Sequence, residues 1–133
     1  MEGRRVQTRA PSFPEVPVDA VLEIARSQRW QVLCGDADHW RLGVYSPPED
    51  SAEQCAELEK HDCPELFMLL SGNVTLVLAD GEGGTRLLPL EMNKPVLIST
   101  PHAGFCPDGP HTGKCLVVER DEFDTEYRTP KAW

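Results

Sequence analysis

Short runs of apolar residues, separated by polar turns, dominate the chain from Trp30 onward. Val, Leu, Ile and aromatic side chains fill these runs, which is typical of β-strands. Gly, Pro, Asn and Asp stand between them and supply chain reversals. The pattern predicts an all-β sandwich or barrel rather than alternating strands and helices. The runs are WQVLC, HWRLGVY, ELFMLLSGNVTLVL, TRLLPLEM, KPVLIST and KCLVVER.

The N-terminal region has a different pattern. Residues 1–17 contain several Arg and Pro residues and little apolar periodicity, so we expect an extended arm, followed by one domain over 18–133. Val18 to Arg29 favours a short helix, because Asp19 stands near its start and apolar residues share one face. These apolar residues are Val21, Leu22 and Ala25.

The segment from Ala52 to Lys60 is the least certain part of the pattern. It is acidic and rich in helix-favouring residues, which favours a solvated helix or loop. A strand that continues into His61 is the alternative.

Composition and charge exclude several classes of function. With 133 residues and a net charge of -9, the chain fits one small globular domain and disfavours contact with nucleic acid, whose backbone binds Lys and Arg. We see no apolar run near the roughly 20 residues that span a bilayer and no hydrophobic signal segment, so we expect a cytoplasmic protein without membrane contact. The five cysteines form no CxxC pair, and we expect most of them to be reduced.

A spaced set of polar residues surrounds the run ELFMLLSG. Glu65 stands four residues after His61, and Gly72 stands seven residues after Glu65. The stretch from His61 to Leu78 thereby resembles the first motif of the cupin superfamily, which has two His two residues apart, then Glu and Gly at these spacings. Glu59 occupies the place of the first His.

The stretch NKPVLISTPHAGFCPDG resembles the second cupin motif more weakly. Val96 and Ile98 match it, whereas direct counting puts Gly104 where the motif has a metal-binding His. Together the two stretches imply a cupin-type antiparallel β-barrel (jelly roll), here with a short N-terminal helix.

Strand periodicity predicts which side chains meet. Residues of equal parity share one face of a strand, so Glu59, His61 and Glu65 should point the same way if their stretch is extended. His102 and Cys106 share parity on a later strand. A barrel interior can then combine carboxylate, imidazole and thiol groups, a mixture that suits Zn²⁺, Fe²⁺, Ni²⁺ or Mn²⁺.

We therefore predict a divalent transition metal and five candidate ligands, of which His61 and Glu65 are also candidate catalytic residues for acid and base chemistry. The alternative is a buried His61–Glu65 pair without metal and cysteines that act only as small apolar residues. The five candidate ligands are Glu59, His61, Glu65, His102 and Cys106.

Two classes of function remain open. The first is a metal-dependent enzyme, such as an oxygenase or isomerase, that acts on a small polar molecule. The second is a metal-free cupin, either a non-catalytic binding module or an enzyme similar to the 3,4-ketoisomerases of nucleotide-linked sugars. The stretch LVVERDEFDTEY of this chain resembles the ending of those enzymes, with Asp121, Asp124 and Tyr127 in a similar order. We also expect a homodimer, because open sheet edges favour pairing with a second subunit.

Overall fold

The computed structural model describes residues 3–133 and contains two antiparallel β-sheets packed face to face. The first sheet has six strands in the order β1-β11-β4-β9-β6-β7, and the second has five in the order β2-β3-β10-β5-β8. The strands are β1 Arg4–Thr8, β2 Trp30–Asp36, β3 Trp40–Tyr45, β4 Leu58–His61, β5 Glu65–Ser71, β6 Thr75–Ala79, β7 Thr85–Pro89, β8 Val96–Ile98, β9 His102–Phe105, β10 Lys114–Arg120 and β11 Phe123–Arg128.

The all-β prediction is confirmed, but the closed barrel is not. Over residues 3–133, no strand pairing joins the two sheets, and each sheet ends in edge strands. The edge strands are β1 and β7 in one sheet and β2 and β8 in the other, and β8 has only three residues. The fold is therefore an open sandwich.

The predicted helix from Val18 to Arg29 is absent, since this described segment has no regular structure. The side chain of Gln31 accepts a hydrogen bond from the backbone N–H of Ala25 and donates one to the carbonyl of Glu23, so it binds backbone groups that a helix would use internally. Val18 and Val21 are 85% and 90% exposed, so no apolar surface covers this part of the segment, although Leu22 and Ala25 are partly buried.

The acidic segment from Ala52 to Lys60 contains a turn and most of a strand. A single 3-10 turn covers Ala52–Gln54, and β4 then begins at Leu58. Leu58 is fully buried, which explains why the acidic segment ends in a strand rather than a solvated helix.

The predicted N-terminal arm contributes a strand of its own. β1 pairs with β11 from Arg4 to Thr8, while residues 1 and 2 lie outside the described range. Ser12 then binds the buried carboxylate of Asp121 through its backbone N–H and its hydroxyl group. The arm is thus attached to the sheet that carries β4 and β9.

The main core lies between the sheets and is closed at one end by a tight turn at Gly72. Phe67, Leu76 and Val117 are each at most 2% exposed there. Gly72 has a φ of 64°, and a Cβ atom on it would lie 2.1 Å from the carbonyl oxygen of Thr112, so only glycine fits this turn. The glycine that the motif predicts is therefore a packing requirement at this position.

A second, smaller core covers the outer face of the six-stranded sheet. Leu58, Val77 and Phe105 are buried there against Trp133 and the 3-10 turn at Ala52–Gln54. No helix among the described residues is long and apolar enough to cross a membrane.

A row of aliphatic residues crosses the outer face of the five-stranded sheet. Val118 is the register partner of both Leu42 and Leu66, and Leu66 is the partner of Leu97. Leu66 and Leu97 are 37% and 68% exposed. The row contains no charged residue, which makes it suited to contact with a second copy of a chain whose net charge is -9.

We predict that a homodimer forms through this row, and that Leu97→Asp then shifts it to monomer, because an uncompensated carboxylate would enter the apolar contact. Sedimentation velocity at micromolar concentration measures this shift. Leu87→Asp is the matched control, since Leu87 is 52% exposed on β7 of the other sheet. A wild-type protein that sediments only as a monomer contradicts the homodimer.

Candidate metal centre and cavity

Four side chains from three strands converge between the open ends of the two sheets. β4 supplies Glu59 and His61, β5 supplies Glu65, and β9 supplies His102. One donor atom from each lies within 4.8 Å of the others. The four are ligand types that bind divalent transition metals.

The turn after β4 explains how this group assembles. Residues 62–64 leave the strand and carry the chain across to the other sheet, where β5 begins at Glu65. The predicted parity holds for Glu59 and His61 on β4, whereas Glu65 faces them from the opposite sheet. The expected continuous strand is therefore wrong, but the side chains still meet.

His102 lies near the position at which the second motif has a metal-binding His and this sequence has Gly104. Glu59 and His102 are register partners on β4 and β9, so their side chains share a face. Gly104, where direct counting places the ligand, instead contacts the ring of Tyr45, which would lie 3.0 Å from a Cβ atom at that position. An imidazole thus stands two residues before Gly104 on β9, on the same face of the strand.

Cys106 lies outside the four-residue group. It follows the end of β9, is fully buried, and its thiol donates to the carbonyl of Gly113 at 3.6 Å. Burial also raises its pKa, which disfavours the thiolate form that binds metals.

The geometry of Glu65 is the most informative feature of the site. Its Oε1 atom lies 2.9 Å from Nε2 of His61 and 2.9 Å from Nε2 of His102. Yet Oε1 of Glu65 and Nε2 of His102 are buried without a well-aligned hydrogen-bond partner. Oε1 of Glu65 thus lies between the two imidazole nitrogens, and the three atoms surround a position where one cation would contact all of them.

The opposite ring nitrogens support this arrangement. Nδ1 of His102 donates to the carbonyl of Thr100 at 2.9 Å, which leaves Nε2 of the neutral ring with its lone pair directed into the site. Nδ1 of His61 contacts the hydroxyl of Thr125 at 2.7 Å. The contacts fix the ring orientations from outside the group.

The donor distances lie on either side of those expected around a single ion, and Oε1 of Glu59 is 3.9 Å from Nε2 of His61. Metal bonds of about 2.1 Å place adjacent donors roughly 3.0 to 3.4 Å apart, depending on geometry. The contacts of Glu65 with both imidazoles are 2.9 Å, and Oε1 of Glu59 lies 3.6 Å from Nε2 of His102. Glu59 is the most exposed member, with 34% of its side chain accessible.

Two further residues of the site were missed by sequence reasoning. Arg41 and Glu119 are register partners on β3 and β10, and their side chains form a buried ion pair at 2.6 Å. Oε1 of Glu119 lies 3.8 Å from Nε2 of His61. The available signal was the parity of KCLVVER, in which Glu119 shares the inward face with Cys115 and Val117.

The remaining sequence candidates lie apart from the group or at its margin. Asp121 is fully buried and holds Ser12 and the backbone of Asp38, so its role in the structure is attachment of the arm. Asp124 is bound by Arg9 at 2.8 Å near the surface. Tyr127 lines the cavity beside Glu59, and burial together with this carboxylate raises its pKa to about 12.

Electrostatics favour protonated imidazoles in the metal-free protein. Burial alone would lower the pKa of His102, but the carboxylates of Glu65 and Glu59 outweigh it and raise the pKa to about 9. The pKa of His61 is raised for the same reason, against its own burial. Burial would raise the pKa of Glu65, yet the two imidazoles hold it well below its usual range.

The pKa of Glu119 is shifted in the opposite direction to that of Glu65. Burial and the neighbouring charge of Glu65 raise its pKa to about 7, although Arg41 opposes the change. The site therefore contains one carboxylate that stays ionised, Glu65, and another, Glu119, whose pKa lies near neutral pH.

The group opens into a cavity of about 610 Å³ between the sheets. This volume is in the range of small-molecule sites. Trp30, Phe67 and Phe123 form apolar parts of its wall, and β1 adds residues from the N-terminal arm.

Comparison with solved structures places the fold among cupins. A cupin 2 domain-containing protein from Halorhodospira halophila has a TM-score of 0.59 at 18% identity, over 94% of this chain and 83% of that one. A cupin-2 domain protein from Shewanella frigidimarina has a TM-score of 0.52 at 13% identity, over 73% and 84%. The Fe(II) form of HppE has a TM-score of 0.56 at 14% identity, over 81% of this chain but 64% of that one.

Neither a protein-family model nor a curated protein sequence matches the chain. The structural likeness, at these low identities, establishes the cupin fold and nothing about the ligand.

Metal binding should release protons, because a metal and a proton compete for the same imidazole nitrogens. At neutral pH we expect roughly one to two protons to leave per divalent ion, since His102 holds its proton up to a pKa of about 9. Calorimetry in buffers with different ionisation enthalpies counts them. Binding without proton release contradicts the assignment of Nε2 as donor.

The metal-free protein should also lose stability as the pH rises. The pKa of His102 is higher in the folded state, so its charged form contributes fully below about pH 6.5 and the contribution disappears as the pH passes about 9. We expect a falling melting temperature across this window. His102→Gln should flatten the curve, and an unchanged slope would contradict the pairing with Glu65.

Proposed function

We propose that this protein is a metal-dependent enzyme of the cupin fold that binds one divalent transition metal through His61, Glu65 and His102. Glu59 completes the set from the more exposed side. The observation that carries the proposal is the convergence of four donor atoms within 4.8 Å of one another, in which Oε1 of Glu65 lies 2.9 Å from Nε2 of both imidazoles.

The charges of the site support the same conclusion. Two carboxylates, Glu59 and Glu65, face two imidazoles whose neutral forms leave the group with two negative charges. A divalent ion balances this charge in a buried place where an unbalanced carboxylate is costly. Two imidazoles with one buried carboxylate are also the ligand set of many mononuclear iron sites that keep open positions.

The cavity provides the substrate site of the proposed enzyme. It opens directly onto the four donors, so a small polar molecule inside it would reach both a bound ion and the carboxyl group of Glu119. The metal, when bound, supplies Lewis-acid activation of an oxygen-containing ligand. Glu119 is placed to hold or accept a proton beside it, and Arg41 fixes the orientation of its carboxyl group. The Fe(II) form of structurally similar HppE is consistent with iron as a candidate.

A metal-free proton-transfer enzyme is the second candidate. It is favoured by the raised pKa of His102, about 9, beside a carboxylate that stays ionised. In this alternative His102 donates a proton and His61 or Glu119 accepts one. The metal content of the purified protein distinguishes the two candidates.

We expect the wild-type protein, purified without chelator, to retain close to one transition-metal ion per chain. His61→Ala, Glu65→Gln and His102→Ala should each weaken metal binding by at least about 100-fold, because each removes a donor with little change in the apolar core. Glu59→Gln should have a smaller effect of about tenfold, since this side chain is partly exposed.

Elemental analysis after dialysis and calorimetric titration with Fe²⁺, Mn²⁺ and Zn²⁺ provide the measurements. Far-UV circular dichroism verifies that each variant is folded. His39→Ala is the control, because His39 is exposed and outside the group. Stoichiometric metal in His61→Ala, or none in the wild type after titration, refutes the proposal.

A further inference from the structure

The charged side chains around the cavity indicate what it can bind. Three guanidinium groups line it, and each already contacts a carboxylate: Arg4 with Glu57, Arg29 with Glu49, and Arg41 with Glu119. The shortest nitrogen–oxygen distances in these pairs are 3.3, 2.6 and 2.6 Å. No lysine among the described residues lines the cavity.

The remaining charges are those of the proposed metal group. Of the five carboxylates in the lining, the three just named are paired with arginine, which leaves Glu59 and Glu65. A divalent ion balances these two. Apart from the metal itself, no cation among the described residues of the lining lacks a carboxylate partner, so a phosphate or carboxylate group placed away from the metal would be desolvated with little compensation.

The wall beside these charges is flat and aromatic. The indole ring of Trp30 packs directly on the backbone at Gly43, where a Cβ atom would lie 2.2 Å from the ring. The guanidinium of Arg41 lies 5.5 Å from the centre of the Trp30 ring and 5.0 Å from that of Phe123. This packing fixes Trp30 as a rigid surface for a ring or an apolar group.

Given the metal proposed above, we infer that the cavity selects an uncharged small molecule that has an oxygen donor for the metal and a flat apolar part for Trp30. It excludes ligands whose recognition depends on a phosphate or carboxylate group. The sugar nucleotides of the ketoisomerases that the sequence resembles carry phosphates, so this selectivity also separates the protein from that class.

The test compares two probes that differ by one carboxylate. Catechol is uncharged in neutral solution and offers two hydroxyl oxygens, while 3,4-dihydroxybenzoate offers the same two and adds a carboxylate. Both lose the same hydroxyl protons when they bind a metal, so the comparison isolates the effect of the carboxylate. Full-length protein is loaded with Zn²⁺, its metal content is measured, and both dissociation constants are determined by calorimetry. We expect catechol to bind at least about tenfold more tightly.

Inorganic phosphate is the third probe, and an excess of it should not displace catechol. Equal or tighter binding of 3,4-dihydroxybenzoate, displacement by phosphate, or no binding of catechol to metal-loaded protein overturns the inference. A protein that takes up no Zn²⁺ instead overturns the proposed function, so the two failures are distinguishable.

A variant at the cavity mouth tests the cause of the selectivity. Glu49→Gln removes the partner of Arg29 and leaves a free guanidinium at the cavity, so it should strengthen 3,4-dihydroxybenzoate binding about tenfold and change catechol binding less than about twofold. Glu82→Gln removes the same charge from an exposed turn outside the cavity lining and should change neither. Equal effects of the two variants would assign the selectivity to net charge and overturn the role of the ion pair.

Discussion

A carboxylate removed from water needs a positive partner, and in this protein Glu65 is the carboxylate that imposes the requirement. It stands at the start of β5 in one sheet, while the imidazoles that contact it come from β4 and β9 of the other. The site therefore joins the two sheets, which no strand pairing connects within residues 3–133. The outward contacts of both His rings, with Thr125 and with the Thr100 carbonyl, maintain this geometry.

The ion pair of Arg41 and Glu119 extends the same constraint to the N-terminal arm. Arg41 contacts Glu119 on one side and donates to the carbonyl of Ser12 on the other, and Ser12 is bound to buried Asp121. The chain that precedes the first strand of the five-stranded sheet is thus tied to the charges around the cavity. Because β1 also contributes to the cavity wall, the arm is a structural part of the site rather than an appendage.

The sequence alone predicted those features that depend on residues close together in the chain. Alternation and turn residues predicted the strands, and the spacing from His61 to Glu65 and Gly72 predicted residues that the structure places at the site and at an obligatory turn. The metal and catalytic roles of the sequence candidates remain predictions. The short helix failed because no apolar surface covers Val18 and Val21, which is a property of the tertiary structure. Arg41 and Glu119 were missed because only strand register brings them together.

Glu59 in the place of an imidazole changes the chemistry that the site can support. A neutral ligand there would leave a divalent ion and Glu65 with one net positive charge, whereas a second carboxylate neutralises the group. The added oxygen donor also favours harder ions such as Mn²⁺ and Fe²⁺ over ions that prefer nitrogen and sulfur. A neutral metal group attracts anionic ligands less strongly, and every arginine in the cavity wall is already paired. Glu59, the departure from the first motif, and the three ion pairs therefore act in the same direction, towards an uncharged ligand.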